Sequence, residues 1–296
     1  MAARLMLVHA HPDDETINCG ATMAAASAAG IEVSLVTCTL GDEGEILVPE
    51  VAHLGADGED QLGAYRFNEL QAALAHLSSP DNPIRLHVLG GRDERGSGHW
   101  RDSGMAGTAS NDKPRAFIHA DSTAAEQLAE LIVQTRPHVV ITYDASGGYG
   151  HPDHIQAHRI AHAAVTFAAT RGWRVSKVYA CARVLEIEID DRRRLAALGS
   201  GAQFKVGTDD FHWATPRDVI TTEIDATPFT EAKRKALGAH ATQVLVEGDW
   251  YALSDHIGAA LRGREFYVCE VGIPIPNPDH EHHWETDVFA GVDVTT

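Results

Sequence analysis

Short apolar runs alternate with longer helical segments through the first 184 residues, and this alternation restricts the chain to few architectures. Leu5-Met6-Leu7-Val8 is a run of the kind a buried parallel strand uses, and it stops at a polar loop. Residues 18–29 (NCGATMAAASAA) read as an Ala-rich helix closed by Gly30 just beyond its end. Residues 32–39 (EVSLVTCT) read as the second strand, and 60–77 carry a helical period through Leu62, Tyr65, Leu70, Leu74 and Leu77. A strand at 84–89, a helix near 122–135, a strand at 138–143, a helix from Pro152 and a strand around 175–184 continue the pattern. Parallel neighbours need a crossover of a dozen or more residues, usually a helix. The expected fold is therefore α/β: a Rossmann-like, mostly parallel sheet with helices on both faces over residues 1–184. Beyond residue 185 the pattern weakens. Short strands, a helix near 228–242 and a closing strand at 265–272 suggest a smaller α+β portion, 185–296, packed on the core and completing a cleft.

In such sheets ligands bind beyond the carboxyl ends of the strands, where the strand order reverses. Two loops at strand ends are dense in ionisable groups: His11–Glu15 and Ser146–His154. A third, Gly90–Pro114, is long and Gly- and charge-rich, which marks a functional or mobile segment. In the first loop one imidazole and three carboxylates fall within five residues, and would repel and desolvate badly without a cation. In the second, Pro152 suits the first turn of a helix, which puts His151 at the cap and His154 within that turn. Residues three apart there share a face. Two His and one Asp leave a coordination position open, the arrangement of a catalytic rather than a structural metal. Taken singly, each half has a bland explanation: a hydrogen-bonded loop histidine, or an Asp pair capping a helix. Their joint placement at strand ends favours the metal.

Composition narrows the partners. With 24 Lys+Arg against 42 Asp+Glu the formal net charge is −18, which disfavours nucleic acid and anionic membrane surfaces. The four cysteines form no CxxC and read as reduced thiols of a cytoplasmic protein. The opening residues turn acidic too soon for a signal peptide, and no apolar stretch is long enough to span a bilayer. The 18 histidines are the unusual entry in the composition, since imidazole both binds metals and titrates near neutrality.

The AHPDDE run (10–15) and the HPDH run (151–154) resemble the paired signatures of the LmbE/PIG-L family of zinc N-acetylglucosaminyl deacetylases. VTCTLGDEGE (36–45), DQLGAYRFNEL (60–70), WRDSGMAGT (100–108), RPHVVITYD (136–144) and GGYGHPDH (147–154) are similar to the members that deacetylate a GlcNAc-inositol in mycothiol biosynthesis. The likeness covers most of residues 4–165 and resumes at KALGAHATQV (235–244). Thr16 stands where that pattern has Ser, and RDERGSGH (92–99) lengthens the loop before WRDSGM, where it could reshape the substrate mouth. The resemblance implies His11, Asp14 and His154 as ligands of one Zn2+, with Fe2+ as the other ion suited to that set. It implies Asp13 as general base, and Zn2+, a protonated His151 and the Tyr149 hydroxyl as stabilisers of the tetrahedral oxyanion. Asp13 and His151 both stand as donors to the leaving amine. Asp153 would hold the His151 ring from behind. Arg66, Asp102 and Met105 are implied contacts to a small sugar-inositol substrate, although Arg66 by position alone reads as a solvated helix face. His240 could approach the site or be a satisfied structural histidine. His158 and His162 recede from the metal along their helix, and His280, His282 and His283 read as a solvated tail.

Three rival readings remain at this stage. A mycothiol S-conjugate amidase shares the metal signatures; the WRDSGM run favours the deacetylase. A non-haem iron oxygenase also uses two His and a carboxylate, but the α/β pattern and the spare Asp13 argue against it. The third is a nucleotide- or sugar-binding module without catalysis; a Rossmann binder would need a GxGxxG after the first strand, and none is there. Oligomeric state is not legible.

Overall fold

The computed structural model describes residues 2–199 and 204–295. Five parallel strands make up one side of a seven-stranded sheet, from its edge strand β3 to β5: β1 (Arg4–His9), β2 (Glu32–Thr37), β3 (Arg85–Val88), β4 (Val139–Thr142) and β5 (Lys177–Ala182). They are linked by α1 (Asp14–Ala28), α2 (Leu62–Leu77), α3 (Ser122–Thr135) and α4 (Pro152–Thr170). After α5 (Leu185–Ala197) come β6 (Thr222–Asp225), α6 (Thr230–Ala239), β7 (Leu245–Glu247), β8 (Trp250–Ala252), β9 (Ala259–Ala260) and β10 (Arg264–Val271). The order β3-β2-β1-β4-β5-β10-β6 reverses direction between β1 and β4, and β10 runs antiparallel to both its neighbours. β7, β8 and β9 form a separate antiparallel sheet. The doubly wound, mostly parallel fold expected from the alternation is the fold observed.

The period of two in β1 divides the core. Met6 and Val8 pack on the α3/α4 side with Phe117, Leu128, Ile132 and Ile160, while Leu5 and Leu7 pack on the α1/α2/α6 side with Met23, Leu70 and Ala236. Each such side chain, fully buried, contributes about 1.5–3 kcal/mol. Alanines at 125, 129, 157, 161 and 164 on α3 and α4 let those two helices approach closely.

Three expectations are corrected. Helix α1 begins at Asp14 rather than near 18, so Asp14 and Glu15 lie in its first turn, where the helix dipole favours acids. Helix α5 was not legible, because its charged sequence buries only Asp191 and Leu195 and carries little apolar period. The tail around His280–His283 is not free in solvent. His280 stacks on Trp284 and pairs with Glu223, and the next residue, Glu285, is buried against Lys177 and Tyr179. No helix among the described residues is long and apolar enough to cross a membrane.

Candidate metal and catalytic site

The chain leaves β1 at His9 and turns through Ala10–Pro12 into α1, and Asp13 closes the turn at φ 107°, ψ −36°. That φ is costly for a residue with a Cβ, of order 1–3 kcal/mol, and survives only where the surroundings impose it. Here the Asp13 carbonyl caps the helix by accepting from the Thr16 and Ile17 amides, and the Asp13 amide donates to the Glu15 carboxylate. Glu15 is itself held by Thr16 and by His240 Nε2 at 3.1 Å. His240 thus reaches the site through Glu15 and Thr16, as a buried supporting residue.

Asp14 Oδ2 is the hub. It accepts from the His11 amide (3.0 Å) and from the Tyr143 hydroxyl (2.6 Å), and lies 3.2 Å from His11 Nδ1 and 3.3 Å from His154 Nε2. His154 Nδ1 donates to the Gly147 carbonyl (3.2 Å), which leaves the Nε2 lone pair facing inward. That atom is buried with no hydrogen-bond partner among the described residues. Gly147 takes φ +69°, and a Cβ there would meet the His154 side chain and the Ile155 amide at 3.0 Å or less. Tyr143, at the end of β4, also accepts from the Ala10 amide and stacks on the His154 ring at 4.2 Å. Its phenol therefore braces a carboxylate and an imidazole together, a role the sequence did not reveal.

The two spacings about Asp14 fit a divalent ion, and His11, His151 and His154 also bring their ring nitrogens within 4.8 Å of one another. Tetrahedral arms of about 2.0–2.1 Å to nitrogen and oxygen have edges of about 3.3–3.4 Å, and the two separations from Asp14 Oδ2 match such edges. A metal-ligating histidine usually donates its other nitrogen to a carboxylate. His11 does so: Nε2 is 3.2 Å from Asp153 Oδ2 and 3.4 Å from Asp102 Oδ1. Asp153 therefore stands behind His11, not behind His151 as expected. Burial by itself would lower the His11 pKa, yet Asp102, Asp14 and Asp153 hold it well above the usual imidazole range. The cluster seeks positive charge.

His151 caps α4, and its Nδ1 accepts from the Asp153 amide (3.2 Å). Burial, with His11 and His154 adding to it, lowers its pKa to about 3. That environment favours a neutral ring, with its proton on Nε2, over the protonated His151 expected. Asp13 differs from Asp14. Burial raises it to about 7, while the Arg66 guanidinium 3.2 Å from Oδ2 pulls the other way. Arg66 is buried rather than solvated, and its terminal nitrogens also bond the Gly41 and Pro12 carbonyls. A Cβ on Gly41, at φ +68°, would sit 2.0 Å from Arg66 Nη1, so this approach requires glycine.

A cleft of about 750 Å³ opens above these groups. Tyr149 and Met105, both about half exposed, stand at its mouth, and Asp102 lies on its floor, held by the Gly104 and Glu43 amides. Arg192, His212, Trp213, Tyr251 and Asp255 line the far side. The 92–99 segment stays out of the cleft. It makes a tight turn in which Arg92 lies over the Phe67 ring of α2 at 3.6 Å. His158 and His162 recede as expected, and pair with Glu270 on β10.

The PIG-L family model, described as GlcNAc-PI de-N-acetylase, matches residues 6–165, more than half of the chain. A protein of Acidothermus cellulolyticus named 1D-myo-inositol 2-acetamido-2-deoxy-alpha-D-glucopyranoside deacetylase is 49% identical over 99% of this chain and 97% of its own. Among solved structures, the 4-carboxy-2-hydroxymuconate hydratase of Pseudomonas putida superposes with a TM-score of 0.54 at 18% identity, covering 81% of this chain and 80% of the other. The N,N'-diacetylchitobiose deacetylase of Pyrococcus horikoshii gives 0.51 at 18%, covering 81% and 70%. A hydratase and a deacetylase on one fold show that the fold does not choose the reaction. Near-full-length identity and the family match do more: the chain belongs to the PIG-L family of de-N-acetylases and is an amide-hydrolysing enzyme.

Proposed function

We propose that this enzyme removes the N-acetyl group from 1D-myo-inositol 2-acetamido-2-deoxy-alpha-D-glucopyranoside, the substrate named for relatives such as the Acidothermus protein, with one Zn2+ held by His11, Asp14 and His154. The observation that carries the reading is the Asp14 carboxylate poised between two inward-facing imidazoles, with a second carboxylate, Asp13, beside it and free of that cluster. When bound, the ion would lower the pKa of a water and polarise the amide carbonyl. Asp13 takes the proton of the attacking water, and its depressed acidity suits a base working near neutrality. Arg66 keeps that carboxylate aimed. As negative charge grows on the substrate's carbonyl oxygen, the neutral His151 donates from Nε2 and Tyr149 from its hydroxyl. With His151 neutral, Asp13 is the group that holds a proton to return to the departing amine. Asp102 and Met105 contact the sugar, and Arg66, which also lines the cleft, meets it with an N–H left over from its bonds to Gly41, Pro12 and Asp13. The portion after residue 184 completes the cleft with Arg192, His212, Trp213 and Tyr251, which suits an inositol carrying hydroxyls on a rigid ring. A 2-His-1-carboxylate set accepts Fe2+ as well as Zn2+. Metal analysis of the purified enzyme, with turnover on the GlcNAc-inositol against a mycothiol S-conjugate, tests the reading. Faster cleavage of the conjugate overturns the substrate, and a protein active without bound metal overturns the mechanism.

A further inference from the structure

Two cysteines far apart in sequence meet behind the metal cluster. Cys19 lies in the second turn of α1 and Cys181 near the end of β5, and their Sγ atoms are 3.4 Å apart. Cys19 is wholly buried, whereas Cys181 is half-buried and lines the cleft. One sulfur is thus reachable by a small solute entering the site, and the other is reachable only by the first. Neither takes part in amide hydrolysis as proposed above. Helix α1 carries Asp13 at its cap and Asp14 at its first position, so whatever tethers Cys19 acts one turn and a half from the base and a metal ligand.

We propose that Cys19 and Cys181 are a thiol pair that hydrogen peroxide converts to a reversible disulfide, and that this bond restrains α1 and suppresses turnover. In the first step the Cys181 sulfur attacks one peroxide oxygen and the O–O bond breaks, giving Cys181 sulfenic acid and one water. In the second the Cys19 sulfur attacks the Cys181 sulfur, the S–O bond breaks and a second water leaves. Two thiols lose two electrons in all, hydrogen peroxide gains them, and both thiol protons depart in water. Exposure assigns the order of attack, and burial, which pushes the Cys19 thiol well up, agrees with it. A covalent S–S bond is more than an ångström shorter than the present contact, so its closure draws α1 towards β5. The packed core transmits that shift to Asp13 and Asp14 rather than absorbing it. A low-molecular-weight dithiol reverses the bond by exchange through the cleft.

The competing use of these sulfurs is a metal site. His9 has a ring nitrogen within 4.8 Å of both, and neither of its nitrogens has a hydrogen-bond partner among the described residues. The test treats reduced, metal-loaded enzyme with hydrogen peroxide, alkylates the remaining thiols and maps peptides by mass spectrometry. Two of the four thiols are expected to disappear into a single Cys19–Cys181 linked peptide. Turnover falls with the same time course, and dithiothreitol restores both. Cys19→Ala is expected to keep its turnover under the same treatment and to yield a Cys181 sulfenate captured by dimedone. Four alkylatable thiols after treatment overturn the proposal, as does a linked peptide formed with no loss of turnover. A second equivalent of zinc in the untreated enzyme that is missing from Cys19→Ala also overturns it in favour of the metal. The linked peptide in the unaltered chain does not depend on any variant folding, nor on which amide the enzyme cleaves.

Discussion

Arg66 Nη2 lies 3.2 Å from Asp13 Oδ2, so a residue on α2 fixes the carboxylate that begins α1. Both groups are buried, and removing one partner of such a pair leaves the other uncompensated, at a cost of about 3–5 kcal/mol. Arg66→Ala is expected to lower the melting temperature and to cut turnover at least about tenfold, with bound metal retained, because the base rather than the ligands is disturbed. Arg66→Lys restores the charge but not the fork that also reaches Gly41 and Pro12, so it recovers stability only in part. Calorimetric melts with metal analysis check this, and metal loss in either variant would contradict it.

Asp13 combines strain with chemistry. Asp13→Ala keeps the strained Cβ and removes the carboxylate; a general base contributes typically about 10²–10⁴-fold, and turnover should drop on that scale with metal content unchanged. Asp13→Gly removes the carboxylate and also the penalty at φ 107°. It should be equally inactive yet more stable than Asp13→Ala by about 1 kcal/mol or more. Chemical denaturation of the pair reads the difference; equal stabilities would show that the backbone there carries no strain.

Tyr143 tests the brace behind the ligands. Tyr143→Phe keeps the ring stacked on His154 but loses the hydroxyl that bonds Asp14 and the Ala10 amide. Partners of metal ligands are worth about 10–100-fold in affinity, and the variant's zinc dissociation constant should weaken within that range. His154→Ala removes a proposed ligand itself and should weaken zinc further. Competition with a chelator measures both, and a Tyr143→Phe protein with unaltered affinity would remove the phenol from the site's design.

Glu43 supplies a pH signature away from the metal. Burial would raise its pKa, but hydrogen bonds from Lys113, Ser110 and Arg101 hold it below the usual value of 4.5. A carboxylate depressed in the folded state binds more protons when unfolded. Its stabilisation is therefore complete above the unfolded pKa and is lost as pH falls through the folded one. Glu43→Gln should destabilise the protein at pH 6 and flatten the loss between pH 5 and pH 3 relative to the unaltered chain. Melting curves across that range decide it; parallel curves would show that the Glu43 network contributes nothing.

The parts of this protein legible from sequence are those set by local periodicity. The five parallel strands and four crossover helices follow from apolar runs whose spacing allows little else, whereas the reversal of strand order between β1 and β4 is set by tertiary pairing. Prolines and acids at helix starts mark the two loops that converge there. The charged α5 and the packed tail were not legible, since their contacts are with distant residues and leave no period of their own.

By itself, then, the sequence determined the parallel strands, a set of nearby candidate ligands, and the family, whereas the joining of β10 and β6 to the same sheet came only with the tertiary structure. The tertiary structure alone decided how each ionisable group behaves. Asp13 and Asp14 are adjacent and chemically identical in the sequence. One faces an arginine from α2 in a buried turn, and the other faces two imidazoles and a phenol from α4 and the loops that follow β1 and β4. Their acidities move in opposite directions, and the His151 pKa falls, because charge state depends on desolvation and on through-space neighbours. Those neighbours are brought together only when strands far apart in the chain are paired.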